Sequence, residues 1–134
     1  MINLLKRIWR RDKKTFSRIC NVVGLNLDFS KNKDAVDVLK AIFEEREYAD
    51  YFPFYKKVTV VDIGAHYGYF SIFAAKNTSP DSTIFSIEPS QSNFETLNEN
   101  LKDGKIENVT THQIAIGGEN GTLDLFTGRS VNHL

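Results

Sequence analysis

Five residues with the chemistry of a nucleotide site lie close together in this chain. Asp62 precedes a loop of small residues, Gly64-Ala-His-Tyr-Gly68, and Glu88 lies 20 residues beyond the last glycine of that loop. Glycines allow a tight turn and let the backbone approach a ligand closely. A carboxylate at the position of Glu88 can accept two hydrogen bonds from a ribose diol. The five residues are Asp62, Gly64, His66, Gly68 and Glu88, and together they indicate a nucleoside ligand.

The spacing of the loop glycines distinguishes between nucleotide classes. A dinucleotide site uses G-x-G-x-x-G, in which backbone amides at a helix start receive a pyrophosphate. Here the pattern is D-x-G-x-x-x-G, with a carboxylate before the first glycine. A carboxylate is a poor neighbour for a pyrophosphate and a good one for an ammonium group. S-adenosylmethionine (SAM) has an amine, a sulfonium and a ribose diol but no phosphate, so the pattern favours SAM over NAD.

The hydrophobic pattern predicts the strands that position these residues. A continuous β-branched run predicts a strand over 58–63 that is buried on both faces. Further strands are predicted over 83–87 and 109–116, and an edge or antiparallel strand over 122–126. Strands that alternate with helices imply right-handed crossovers and a parallel sheet. In such a sheet the ligand site lies at the carboxyl ends of the strands.

Two helices are predicted between these strands. The first covers about 69–76 and buries an apolar face. The second starts at Ser92, whose side chain would cap it in a capping box with Glu95, three residues further on. Gly104 stands where a left-handed helix end is expected.

The segment before the first strand is predicted to be largely helical. Residues 1–20 form a basic amphipathic helix, since residues 1–18 contain seven Lys and Arg against the single acid Asp12. Three interpretations of this helix stay open: docking on its own domain, which we favour, weak contact of residues 1–19 with an anionic membrane surface, or binding of a partner helix.

Residues 21–57 are predicted to be a linker followed by a helical and aromatic lead-in to the sheet. Residues 21–33 have the composition of a loop, in which a short edge strand over 25–29 is a weaker alternative. Helical spacing of apolar residues follows over 33–48. An aromatic cluster around Pro53 is expected to pack under the sheet rather than to bind a ligand.

Composition excludes several classes of function. A chain of 134 residues fits one domain, and 17 Lys and Arg balance 17 Asp and Glu, which argues against general nucleic-acid binding. The lone Cys20 excludes an internal disulfide and makes a reducing cytoplasm the default location, with peripheral membrane contact as an addition. No apolar run reaches the roughly 18–20 residues of a membrane span.

One longer motif gives a family resemblance. The run Val60-Val-Asp-Ile-Gly-Ala-His-Tyr-Gly-Tyr-Phe-Ser71 resembles the first motif of class I SAM-dependent methyltransferases. With three later blocks in order, the chain resembles the FkbM family in particular. These blocks are Ile87-Glu-Pro89, then Asn93 with Leu97 and Asn100-Leu101, and Ala115-Ile-Gly117 ahead of Gly121. His66 departs from the family loop, which commonly has Asn. The resemblance covers about residues 45–134 and implies O-methylation of a hydroxyl on a sugar, glycan or natural product.

The resemblance also implies roles for individual residues. Asp62 would contact or order the methionyl amine, and Glu88 would hold the ribose hydroxyls. For Asp62 the alternative is a carboxylate that caps its own loop amides, and for Glu88 an acid at a helix entry. His66 would make either a backbone contact or a hydrogen bond that orders the loop. The other expected cofactor contacts are Gly64, Ala65 and Gly68 along the loop, and Pro89 and Ala115 beside the adenine, whereas His112 and His133 are expected on the surface.

The acceptor side of the expected fold has no counterpart in this sequence. No general base, metal cluster or nucleophile triad can be assigned. The expected architecture is therefore a partial Rossmann-like three-layer sandwich over residues 58–134, the cofactor-binding half of a longer methyltransferase. A non-catalytic module that binds a nucleotide or a partner is the alternative. The outer edge of strand 58–63 would be unpaired, so we expect self-association or marginal stability.

Overall fold

A computed structural model describes residues 2–122 and 124–126. The N-terminal part is helical, with α1 at Ile2–Val23, α2 at Phe29–Asn32 and α3 at Val36–Phe43, and short 3-10 helices at Lys33–Ala35 and Ala49–Tyr51. Three strands alternate with two helices after it. They are β1 at Thr59–Ile63, α4 at Tyr69–Asn77, β2 at Thr83–Ile87, α5 at Gln91–Asp103 and β3 at Val109–His112.

The three strands form one parallel sheet in the order β1-β2-β3. Thr59 is in register with Thr83, and Ile84 is in register with Val109. The parallel sheet expected from the sequence is thus confirmed, with α4 and α5 as the crossover helices. Within the described residues β1 pairs on one side only, as the sequence indicated.

Both crossover helices flank the same face of the sheet. Ser71 of α4 bonds to Asp62 and Ser86, and Asn98 of α5 accepts a hydrogen bond from Thr111. Neighbouring strand residues point to opposite faces, and Val61 and Ile63, which alternate with Asp62, are 54% and 63% exposed. The described residues therefore supply two of the three layers of the expected sandwich.

The core lies between the helices rather than on both faces of the sheet. Side chains of the N-terminal helices pack on α4 and α5, and the most deeply buried are Phe16, Leu39, Ile72 and Leu97. Phe16, Ile19 and Cys20 of α1 are buried, so this helix docks its apolar face on its own domain. Over the described part of the chain, no helix is both long and apolar enough to cross a bilayer.

A buried polar cluster ties the N-terminal helices to the rest of the domain. Asn32 and Asn100 exchange two hydrogen bonds of 2.9 and 2.8 Å, although 68 residues separate them. The hydroxyl of Tyr69 donates to Asn32 Oδ1 at 2.7 Å, and Asn100 Nδ2 also donates to the carbonyl oxygen of Tyr67. Since these side chains are buried and fully paired, loss of one leaves its partners unsatisfied.

The ends of α5 differ from the expectation by one or two residues. The N-cap is Ser90, with no side-chain cap, so the capping box of Ser92 and Glu95 is wrong; the Ser90 amide already donates to the carboxylate of Glu88. Gly104 is right-handed at φ −77°, and the left-handed residue is Lys105 at φ +54°. The helix continues one residue further and then closes with the 6→1 bond of a Schellman motif, from Ile106 N to Leu101 O.

Several other expected elements are shorter or absent. The third strand ends at His112 instead of 116, and helix α3 ends at Phe43 instead of 48. The loop expected over 21–33 is shorter, since α1 extends to Val23 and α2 begins at Phe29. The alternative strand over 25–29 is also wrong, because Asp28 caps α2. An extra strand was expected over 122–126. Those of its residues that the structure describes, 122 and 124–126, do not adopt β-strand structure. A pattern of two alternating leucines specifies a strand only when a neighbouring strand pairs with it.

The aromatic cluster around Pro53 divides into two groups. Phe52 and Phe54 pack edge-on against Phe73 of α4, with ring centroids 4.9 and 6.2 Å apart, which matches the expected packing role. Tyr51 and Tyr55 are 96% and 81% exposed, so the packing prediction is wrong for these two residues. Period and composition could not separate the two groups because Pro53 interrupts any helical repeat across this segment and both groups have members on each side of it.

Candidate functional site

Asp62 lies near the carboxyl end of β1 and is fixed by the helix that follows. Its Oδ2 accepts a hydrogen bond of 2.6 Å from Ser71 Oγ in the first turn of α4. Burial of the carboxyl raises the pKa of Asp62, Ser71 opposes that shift, and nearby Glu88 adds to it. The expected alternative, capping of the loop's own amides, differs from this arrangement, since the partner of Asp62 is in α4.

The two loop glycines are required for different reasons. Gly64 and Gly68 both have left-handed backbone, at φ +77° and +79°. A Cβ added to Gly68 would come within 3.1 Å of Leu97 Cγ, a fully buried side chain of α5, whereas a Cβ on Gly64 would meet nothing within 4 Å. Gly68 therefore lets α4 and α5 approach each other, and Gly64 leaves open space beside the loop.

The carboxylate of Glu88 links the β1–α4 loop to the entry of α5. Oε2 accepts a hydrogen bond of 2.8 Å from the backbone amide of His66, and Oε1 accepts one of 2.9 Å from the amide of Ser90. Asn93 Nδ2 lies 3.4 Å from the same Oε1. Glu88 is 95% buried, with an exposed fraction of 5%. The side chain thus orders both the β1–α4 loop and the entry to α5.

His66 contributes to this link through its backbone. It is held in the left-handed region at φ +51°, with its amide directed at Glu88. Its ring stacks on Tyr67, with centroids 4.0 Å apart, and burial lowers the pKa of the imidazole. Both expectations for His66 stay predictions, since the bond that orders the loop comes from its backbone amide rather than from the imidazole.

A cavity of about 270 Å³ opens beside the carboxyl end of β1. Four of the expected site residues line it together, namely Asp62, Gly64, Ala65 and His66. Gly68 and Glu88 are not among the lining residues. Pro89 is half-buried, and Ala115 is exposed in the segment after β3. His112 is exposed as expected, and His133 lies outside the described residues.

The rest of the cavity wall was missed by sequence reasoning. Val38 and Ile42 come from α3, and Tyr48 comes from the segment after it. The remaining lining residues are Val61 and Ile63 of β1, and Tyr67, Tyr69 and Phe70. The ring centroids of Tyr48 and Phe70 lie 4.7 Å apart. Burial raises the pKa of Tyr48, and the nearby charges of Glu47 and then Asp62 add to this shift. The helical repeat marked Val38 and Ile42 as members of one apolar face but gave no sign that they line a cavity.

Comparison with known proteins gives one related sequence and a shared fold. No family model matches the chain. Methyltransferase 1 of Beauveria bassiana is 34% identical over 86 residues, which are 64% of this chain and 34% of that protein. The chain thus spans about a third of the length of this curated relative.

Solved structures point to the same class of fold. A SAM-dependent methyltransferase from Aquifex aeolicus superposes with a TM-score of 0.50 at 20% identity, over 63% of this chain and 46% of that one. A precorrin-6y C5,15-methyltransferase from Geobacter metallireducens matches at 27% identity and a TM-score of 0.44, over 47% of this chain and 33% of that one. The sheet and its two crossover helices have the fold of class I SAM-dependent methyltransferases.

Proposed function

We propose that this chain is the SAM-binding part of a methyltransferase. The observation that carries the proposal is the placement of Asp62, an acid in the wall of a cavity beside a glycine loop that is open at Gly64. The 34% identical methyltransferase supports it, and so does the shared fold. Since the chain spans about a third of that relative, the activity is proposed for the protein to which this segment belongs.

The residues of the cavity fit the amino-acid end of SAM. When bound, SAM supplies an electrophilic methyl group on a sulfonium. The Asp62 carboxylate would hold the ammonium group by a charge-assisted hydrogen bond. The aromatic rings of Tyr48 and Phe70 line the same cavity, and aromatic faces attract cations such as a sulfonium. A cavity of about 270 Å³ has room for a methionine-sized group.

Glu88 is our candidate for the ribose hydroxyls. Each carboxylate oxygen can accept more than one hydrogen bond, so the bonds to His66 and Ser90 leave acceptor capacity for a diol. Those same bonds also fit the alternative that Glu88 only orders the two loops. Pro89 and Ala115 remain proposed neighbours of the adenine.

We further propose the FkbM type of reaction, O-methylation of a hydroxyl on a sugar, glycan or natural product. Methyl transfer requires an acceptor oxygen aligned with the methyl carbon, and such alignment can contribute roughly 7–11 kcal/mol. The support for this narrower proposal is the set of motif blocks in the sequence. A module that binds the nucleoside without turnover is the second candidate, and it is supported by the lack of an assignable general base in the sequence.

Titration calorimetry tests the cofactor proposal. SAM and its demethylated product should bind and NAD should not. Asp62→Asn should weaken SAM binding roughly 10- to 150-fold, as expected for a hydrogen bond to a charged group of ~1.5–3 kcal/mol. Asp81→Asn, at an exposed turn, is the matched control and should leave affinity unchanged. Tighter binding of NAD than of SAM, or equal SAM affinity in the parent chain, Asp62→Asn and Asp81→Asn, would contradict the proposal.

Glu88→Gln separates the two roles of Glu88. If Glu88 holds the ribose, this variant should bind SAM and adenosine more weakly by a similar factor, because both ligands contain the diol. If Glu88 only orders the loops, urea unfolding should shift while the folded variant binds adenosine as the parent does. Transfer of a labelled methyl group from SAM to a panel of monosaccharides would favour the enzyme over the non-catalytic module.

A further inference from the structure

Helix α1 has two faces with different surroundings. Phe16, Ile19 and Cys20 form the buried face. The other face carries seven basic side chains, all exposed: Lys6, Arg7, Arg10, Arg11, Lys13, Lys14 and Arg18. At a rise of about 1.5 Å per residue, they occupy roughly 18 Å of helix. Docking on the domain thus leaves the basic face turned to solvent.

Among the residues that the structure describes, most of these cations have no acidic partner. Arg18 pairs with Glu44 at 2.9 Å, and Arg11 lies 3.6 Å from Asp12. The other five form no ion pair within residues 6–122 and 124–126, and these are Lys6, Arg7, Arg10, Lys13 and Lys14. The chain is neutral overall, so residues 19–134 carry a net charge of −6. Positive charge is therefore concentrated on one side of one helix.

Apolar side chains border the basic face. Trp9 is 48% exposed although its ring contacts Phe29, and Lys13 Nζ lies 5.3 Å from the ring centroid. Ile8 is 40% exposed. Tryptophan and basic side chains on one helix are typical of helices that lie in the polar layer of a membrane surface.

We propose that the basic face of α1 binds the surface of an anionic phospholipid bilayer. Because the rest of the chain carries a net negative charge, only this face of α1 attracts an anionic surface. A bilayer is flat, so it can contact this one face without approaching the acidic remainder. Nucleic-acid-binding domains are generally basic as a whole, whereas this domain is neutral. The proposal does not depend on SAM, and its test contains none.

Vesicle co-sedimentation measures this binding. The chain should sediment with phosphatidylcholine vesicles that contain phosphatidylglycerol, and far less with phosphatidylcholine alone. Binding should weaken strongly between about 0.05 M and about 0.5 M salt, because salt screens exposed charges. The single Trp9 supplies a second readout, since its fluorescence should shift to the blue when it enters the lipid interface.

Two triple variants with the same net charge locate the binding face. Arg7→Gln, Arg10→Gln and Lys14→Gln together should reduce binding roughly 150-fold, at about 1 kcal/mol per cation. Lys33→Gln, Lys76→Gln and Lys102→Gln remove three exposed cations elsewhere and should leave binding within about twofold, because they lie outside α1. Equal loss in both variants, equal sedimentation with neutral vesicles, or tighter binding to a DNA duplex than to anionic vesicles would overturn the proposal.

Discussion

Substitution of alanine at the two loop glycines should have different effects on stability. Gly64 and Gly68 have nearly the same backbone, at φ +77° and +79°. An alanine at either position loses roughly 1–2 kcal/mol in the left-handed region. Alanine also lowers the conformational entropy of the unfolded chain, which restores about 0.4–1 kcal/mol of the lost stability. The backbone effect is therefore shared, at about 1 kcal/mol, and the two variants differ only in what the new methyl group meets.

Packing supplies the difference between them. The methyl group of Gly68→Ala would lie 3.1 Å from Leu97 Cγ, and Leu97 is fully buried, so it has no free space to move into. Overpacking of this kind costs roughly 1–3 kcal/mol. The methyl group of Gly64→Ala meets nothing within 4 Å. We therefore expect Gly68→Ala to lower the free energy of unfolding by about 2–4 kcal/mol, and Gly64→Ala by about 1 kcal/mol.

Urea unfolding followed by circular dichroism measures both values, and calorimetry with SAM adds the ligand side. Gly64→Ala should lose more free energy of SAM binding than free energy of unfolding, since its methyl group points to open space beside the proposed cofactor cavity. Equal destabilisation by the two variants, or a larger loss for Gly64→Ala, would refute the reasoning. That result would mean that backbone conformation dominates and that the contact with Leu97 relaxes freely.

Three further predictions concern buried groups. Because burial raises the pKa of Asp62, the ionised carboxylate destabilises the fold at neutral pH. Asp62→Asn should therefore raise the urea midpoint of unfolding at about pH 7, and this gain should vanish near about pH 3. A lower midpoint at neutral pH would assign Asp62 a structural role. Burial raises the pKa of Cys20 from 9.0 to about 11, so at about pH 8 the thiol of the folded protein should be alkylated at least roughly 100-fold more slowly than that of the protein unfolded in urea. The free energy of unfolding should also fall as pH rises from about 9 towards about 11. Fast alkylation of the folded protein would be inconsistent with this burial. Asn100→Ala should lower the free energy of unfolding by about 1–3 kcal/mol, because Asn32 and the Tyr67 carbonyl lose a partner. The control Asn26→Ala, at an exposed position, should change it by less than about 0.5 kcal/mol. Similar losses in both variants would show that the buried cluster does not stabilise the fold.

Much of the fold was predictable because its signals are local. The β-branched run before Gly64 and the apolar periods of α4 and α5 each encode one element within about a dozen residues. Alternation of strands and helices then fixes a parallel sheet through the handedness of the crossovers. Element ends were less accurate. The start of α5, for example, depends on a bond from the Ser90 amide to Glu88, which competes with a side-chain cap.

The site divides in the same way. The sequence by itself determined that an acid and two loop glycines lie at the carboxyl end of β1 and a second acid at the carboxyl end of β2, because each strand and the loop after it are consecutive in the chain. Only the tertiary structure decided that Tyr48 and α3 close the cavity, that Glu88 bonds to His66, and that α1 turns its cations outward. Those outcomes depend on packing between residues far apart in sequence, and a single sequence carries no periodic signal for such contacts.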